Sequence, residues 1–165
     1  GLMMQNDHAI SRRAFLAGVG LIPVLLSTPV TGYAASLPLV TVTKDPNCGC
    51  CTGWAEHIEA AGFTVRIVES QNMDSLRQRL GVPSTLYSCH MAEVDGYVIE
   101  GHVPAAAIQR LLTERPSATG LAVPGMPAGS PGMDFPGVMP EPYEVFLFAS
   151  ADQKIFGRFR GAQEI

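Results

Sequence analysis

Three cysteines fall within four residues, in the run Asn47-Cys48-Gly49-Cys50-Cys51-Thr52, and the fourth, Cys89, stands beside His90. Cysteine used as a small apolar filler would be scattered. Clustered thiols point to soft-metal binding or to thiol–disulfide chemistry. Cys48 and Cys51 form a C-x-x-C, and Cys48 and Cys50 form a C-x-C that offers two sulfurs from one loop. With Cys89 added, four thiolates would suit Cu(I) best, with Zn(II) or an iron–sulfur cluster as competitors. A structural zinc site commonly uses two separated pairs, and this set is three plus one. A plain dithiol reductase needs neither Cys50 nor Cys89. Two disulfides are the alternative in an oxidising compartment, although adjacent Cys50 and Cys51 would pair only with strain. Clustered sulfurs can also bridge, so a polynuclear copper centre is within reach of this set.

The histidines and methionines are weaker signals. His102 is a candidate ligand as much as a hydrogen-bonded rim residue. His90 is a candidate too, but strand alternation sends it to the sheet face opposite Cys89. His57 reads as a boundary residue of a helix. Met126 and Met133 lie in a Pro/Gly-rich stretch, where thioethers could cover or feed a soft-metal site; methionine more often simply packs. Metal candidates are therefore Cys48, Cys50, Cys51, Cys89, His102, His90, Met126 and Met133.

The elements that must position these residues follow from the pattern. Leu39–Thr43 is a β-branched strand that Pro46-Asn47 ends. Trp54, Ile58 and Ala61 recur at helical spacing, with Gly62 as a stop. The N–H groups at the start of that helix favour thiolate over thiol. Phe63–Val68 alternates as a second strand, and Met73–Leu80 reads as a short helix closed by Gly81. Asp95-Gly96 is a two-residue hairpin turn. Its register pairs Val94 with Tyr97 and sets Cys89 opposite His102. A third helix begins near Pro104, buries Ile108, Leu111 and Leu112, and stops at Pro116. Residues 119–142 are expected to be irregular, because seven prolines fall between Pro116 and Pro142. Tyr143–Ala149 and Lys154–Arg160 close the chain as a hairpin.

This order, β-α-β-α-β-β-α with a Pro/Gly-rich loop and a C-terminal β-hairpin, predicts an α/β domain of thioredoxin-like fold. The first two strands are parallel by right-handed crossover, and the third lies antiparallel beside the first. Cys89 then faces Cys48, Cys50 and Cys51.

The chain has 165 residues and 47% hydrophobic side chains, which is one domain with a core. Ser11-Arg12-Arg13-Ala14-Phe15-Leu16, an apolar run to about Val30 and Gly32-Tyr33-Ala34-Ala35 resemble a twin-arginine export signal. Residues 1–35 are expected to be that signal and 36–165 the metal-binding domain, with 116–142 as its loop. The signal's apolar run, broken by Pro23 and Pro29, is too short to span a bilayer, so no membrane span is expected after its removal. Loss of Asp7, Arg12 and Arg13 takes the balance from 11 basic and 15 acidic groups to 9 and 14, a formal charge of −5. No basic patch supports nucleic acid as a partner.

Asp45-Pro46-Asn47-Cys48-Gly49-Cys50-Cys51, Ser88-Cys89-His90, Asp95–Pro104 and Gly120–Met133 together resemble the periplasmic copper-resistance CopG family. The resemblance implies a thioredoxin-like domain whose Cys48, Cys50, Cys51 and Cys89 hold a multinuclear copper cluster. It also implies a periplasmic role in copper tolerance, by binding Cu(I) or by interconverting Cu(I) and Cu(II). Copper ions would be the partners, together with exported copper-efflux or electron-transfer proteins. The rivals are a thiol–disulfide oxidoreductase using Cys48 and Cys51, and an iron–sulfur protein.

Overall fold

The computed structural model describes residues 35–150 and 152–165. The export-signal reading therefore falls almost wholly outside the described residues. Among them, no helix is long and apolar enough to cross a membrane.

One mixed sheet of eight strands organises the domain, in the order β2-β1-β3-β4-β5-β6-β7-β8. Its first half carries the site. β1 (Val40–Lys44) runs parallel to β2 (Val65–Glu69), joined through helix α1 (Cys50–Ala60). Helix α2 (Met73–Arg79) follows, capped by the Asn72 side chain on the Ser75 N–H. A single 3-10 turn, Ser84–Leu86, leads into β3 (His90–Val94), which lies antiparallel to β1. The Asp95-Gly96 turn returns the chain as β4 (Tyr97–Glu100), with Val94 opposite Tyr97 as the register required. Asp95 and Gly96 both take positive φ, 46° and 87°, which is what a tight hairpin of this twist needs. Helix α3 (Ala105–Glu114) starts after Pro104 and ends on a left-handed Arg115. It buries Ile108 and Leu111 as expected, while Leu112 is only partly buried.

The Pro/Gly-rich stretch holds one regular element that the proline count concealed. Gly120–Ala122 is β5, buried throughout, parallel to β4 and antiparallel to β6 (Pro142–Ala149). The expectation of an irregular 119–142 is corrected at that point. Three residues, buried on both faces, show no alternation, and a Cβ on Gly120 would meet the Val98 carbonyl at 1.6 Å. Glycine is what admits the strand there. β6 and β7 (Asp152–Arg160) form the expected hairpin with a bulge after Val145, and β8 (Gln163–Glu164) adds a short edge.

Alternation along the strands divides the core into two layers. Val40, Val42, Ala92, Ile99 and Val145 face α1 and α3, packing with Trp54, Ile58, Ile108 and Leu111. Met91, Val98, Ala122 and Phe148 face the other way and pack with Met73, Val82 and Leu86 around α2.

Candidate metal centre

Two junctions between elements meet at one edge of the α1 layer. The first is the loop between β1 and α1. Gly49 precedes the helix with no side-chain cap, and no acidic residue occupies the first turn. The Thr52 N–H is taken by the Gly49 carbonyl at 3.2 Å, and the partial positive charge of the helix start lies beside Cys50 and Cys51, its first two residues. The second is the entry to β3. Cys89 lies one residue before the strand.

The sulfurs converge. Cys50 Sγ lies 3.6 Å from Cys48 Sγ and 3.4 Å from Cys89 Sγ. Ligand atoms of Cys48, Cys50, Cys51 and Cys89 all fall within 4.8 Å of one another. Two sulfurs on one tetrahedral ion, each bound at about 2.3 Å, stand roughly 3.8 Å apart. The Cys50–Cys48 and Cys50–Cys89 separations are close to that value.

The oxidation state differs from the expected set of four free thiolates. Cys48 and Cys51 are joined as a disulfide across a Cα–Cα separation of 5.7 Å, within the ordinary range, and Cys50 and Cys89 are free. The start of a helix holds C-x-x-C sulfurs at bonding distance, while Cys50 is aimed toward Cys89. The four-thiolate reading belongs to the reduced form.

The histidines are closer to the sulfurs than alternation allowed. Cys89 Sγ stands 3.0 Å from His102 Nε2 and 3.5 Å from His90 Nδ1, and the three form a second compact group. The argument that His90 must point away is corrected. Cys89 is outside the strand, so the pleat does not govern the pair. His90 is fully buried, its ring 4.6 Å from Trp54 and 5.0 Å from His102. His90 Nε2 has no hydrogen-bond partner among the described residues, which is unusual for a buried polar atom. His102 donates from Nδ1 to the Pro131 carbonyl at 2.7 Å. That bond fixes the tautomer and leaves Nε2 with a lone pair toward Cys89. Burial lowers the pKa of His90 well below its ordinary value, and lowers that of His102, so both are neutral donors near pH 7. Burial, helped by the Cys50 thiol, pushes Cys89 up to about 12.

The loop after β5 roofs the site. Gly132 takes φ +85°, and a Cβ there would stand 2.7 Å from the Cys50 carbonyl and 2.8 Å from the Trp54 nitrogen. A Cβ on Gly53 would stand 3.2 Å from Gly132 Cα, so loop and helix touch backbone to backbone. Met133, next in the chain, is half-buried, whereas Met126 is 53% exposed. The structure thus gathers the four cysteines, His90 and His102, and leaves Met126 and Met133 as residues of the roof.

Four contributors were missed from the sequence. The Pro131 carbonyl carries no side-chain signal. Arg77 and Glu100 could have been found, as an opposite pair at core-facing positions of α2 and β4. His57 is more than a boundary residue, since its Nε2 accepts the Ala105 N–H at 3.0 Å at the start of α3.

Residues 86–133 match a family described as a protein of unknown function, DUF411. Among curated proteins, none matches the chain. Two solved structures are similar over 74% of this chain and 98% of theirs. One is called copper resistance protein CopG, form 1, at 40% identity and a TM-score of 0.69. The other is called form 2, at 41% identity and a TM-score of 0.70.

Proposed function

Since the chain belongs to the CopG copper-resistance family, we propose that it is an exported, periplasmic copper-binding protein that holds Cu(I) as cargo between α1 and the entry to β3. The carrying observation is the convergence of Cys48, Cys50, Cys51, Cys89, His90 and His102 into two groups that share Cys89. The donor chemistry fits. Thiolates favour Cu(I), neutral imidazoles accept either copper oxidation state, and His90 is a buried imidazole whose Nδ1 stands 3.5 Å from the Cys89 sulfur. A shared Cys89 supports a cysteine-bridged, multinuclear arrangement. The mixture of soft and intermediate donors supports one-electron cycling between Cu(I) and Cu(II), with the electron exchanged with an exported electron-transfer protein. The strand order β2-β1-β3-β4, with α1 and α3 on one face and α2 on the other, supports the thioredoxin-like reading of the domain.

Loading begins by opening the disulfide. A dithiol reductant supplies two electrons and two protons, leaving as its own disulfide while Cys48–Cys51 becomes two thiols, and each thiol that binds copper releases its proton. Anaerobic Cu(I) titration, with and without prior reduction, tests this. The reduced protein is expected to take up at least one copper per chain, and the oxidised protein less. Uptake below one copper in the reduced protein would sink the proposal.

The rival reading, a thiol–disulfide oxidoreductase, draws on the bonded Cys48–Cys51 pair with Cys51 fully buried and Cys48 partly exposed. An incoming thiolate would attack Cys48 and release Cys51. Insulin reduction by a Cys50→Ser variant, undiminished and independent of metal, would favour it.

A further inference from the structure

Behind Cys89 lies a buried ion pair that the copper donors do not require. Arg77 of α2 is 5% exposed and Glu100 of β4 is 0% exposed. Arg77 Nε donates to both carboxylate oxygens of Glu100, at 3.0 and 3.2 Å, and Nη2 stands 2.9 Å from Oε1. Removing two such charges from water costs several kcal/mol per ion, and well-packed apolar residues often serve stability as well or better. Stability alone does not account for the pair.

Its other contacts do. Ser88 belongs to no strand or helix, so the sheet does not supply partners for its backbone. Glu100 Oε1 accepts the Ser88 N–H at 2.7 Å, and Arg77 Nη2 donates to the Ser88 carbonyl at 2.7 Å. The Ser88 hydroxyl donates to the Gly125 carbonyl. Arg77 also lies over the Tyr87 ring, 4.9 Å from its centroid. Gly101 makes room for this packing, since a Cβ there would stand 2.7 Å from Ser88 Cβ. Both polar backbone groups of the residue before Cys89 are therefore held by charged groups from two different elements. Charge-assisted bonds of this kind are short and directional.

We propose that the Arg77–Glu100 pair is a positioning clamp for the metal centre, fixing the Ser88 peptide so that the Cys89 sulfur stands where Cys50 and His102 can share an ion with it. The inference rests on the reading of Cys89 as a copper ligand. Neither Arg77 nor Glu100 touches the metal; they act through Cys89.

The test is the doubly neutral variant Arg77→Met/Glu100→Gln, which leaves no unpaired buried charge. Its first readout needs no copper. In the reduced, metal-free protein, peptide mapping follows alkylation of Cys89 and Cys50 separately. Losing a charge-assisted hydrogen bond should speed Cys89 labelling about tenfold, with Cys50 unchanged. No change at Cys89, or an equal rise at both cysteines, overturns the clamp. The second readout is Cu(I) affinity against a competing chelator. The variant should weaken binding about tenfold when Cys89 is present and have no effect in a Cys89→Ser background. Equal weakening in both backgrounds marks a merely structural role and overturns the proposal. If the wild-type protein takes up no copper, the functional reading fails, and alkylation still decides the clamp. Should the double variant not fold, Arg77→Lys is read the same way, because it keeps a cation for Glu100 but lacks the second nitrogen for the Ser88 carbonyl.

Discussion

Cys89 is the residue on which the site turns, because it belongs to both donor groups. Half-buried and hydrogen-bonded to Cys50, it holds its proton up to about pH 12. A copper ion bound at Cys89 would have to displace that proton, whereas the imidazoles of His90 and His102 are already neutral. The sign of the stability effect follows from a raised thiol pKa. The folded chain binds this proton more tightly than the unfolded chain. Its contribution is complete below the unfolded thiol value, about 8.5, and is lost as pH rises from there toward the folded value. Alkylation of Cys89 in the metal-free protein with the Cys48–Cys51 disulfide intact should accordingly climb about tenfold per pH unit, past the point near pH 9 where an ordinary thiol levels off. A plateau at that point would show that Cys89 ionises as it would in solution.

At the level of elements, α1 and α3 are tied by His57, which accepts the Ala105 N–H. Burial lowers the His57 pKa against an opposing pull from Asp134. The neutral ring is the useful form, since a protonated ring cannot accept. The contribution is therefore present above the unfolded value, about 6.5, and lost as pH falls through the lower folded value. Urea unfolding at about pH 7.5 and pH 5 should show a larger drop for wild type than for His57→Gln. The difference should stay under about 1 kcal/mol, because the site is partly solvated. Equal drops would remove His57 from the account. Elements with a clear period were legible beforehand: β1, α1, the Asp95-Gly96 hairpin and the register that set Cys89 against His102. Those without one were not. β5 is three buried residues among prolines, and its only signal was Gly120. His90 was misplaced because alternation was extended one residue beyond its strand. The disulfide depends on redox state, which spacing alone leaves open.

Across the whole molecule, the site joins segments far apart in the chain: the start of α1, the entry to β3, the turn after β4 and the roof at Pro131. An ion bound to the first three ties the α1 layer to the sheet. Copper should therefore raise the melting temperature of the reduced protein. At a hundredfold excess over the dissociation constant the gain is about 2.7 kcal/mol, or roughly 5–10 °C for a domain of this size. A copper-selective chelator should reverse it. An unchanged melting point with copper bound would place the ion on a single segment. The bare backbone contact between Gly53 and Gly132 has a consequence for other chains of this kind. A relative that keeps every sulfur but carries bulk at either glycine would hold its cargo in an open dish, and the two small residues together mark the closed vessel better than the cysteines do.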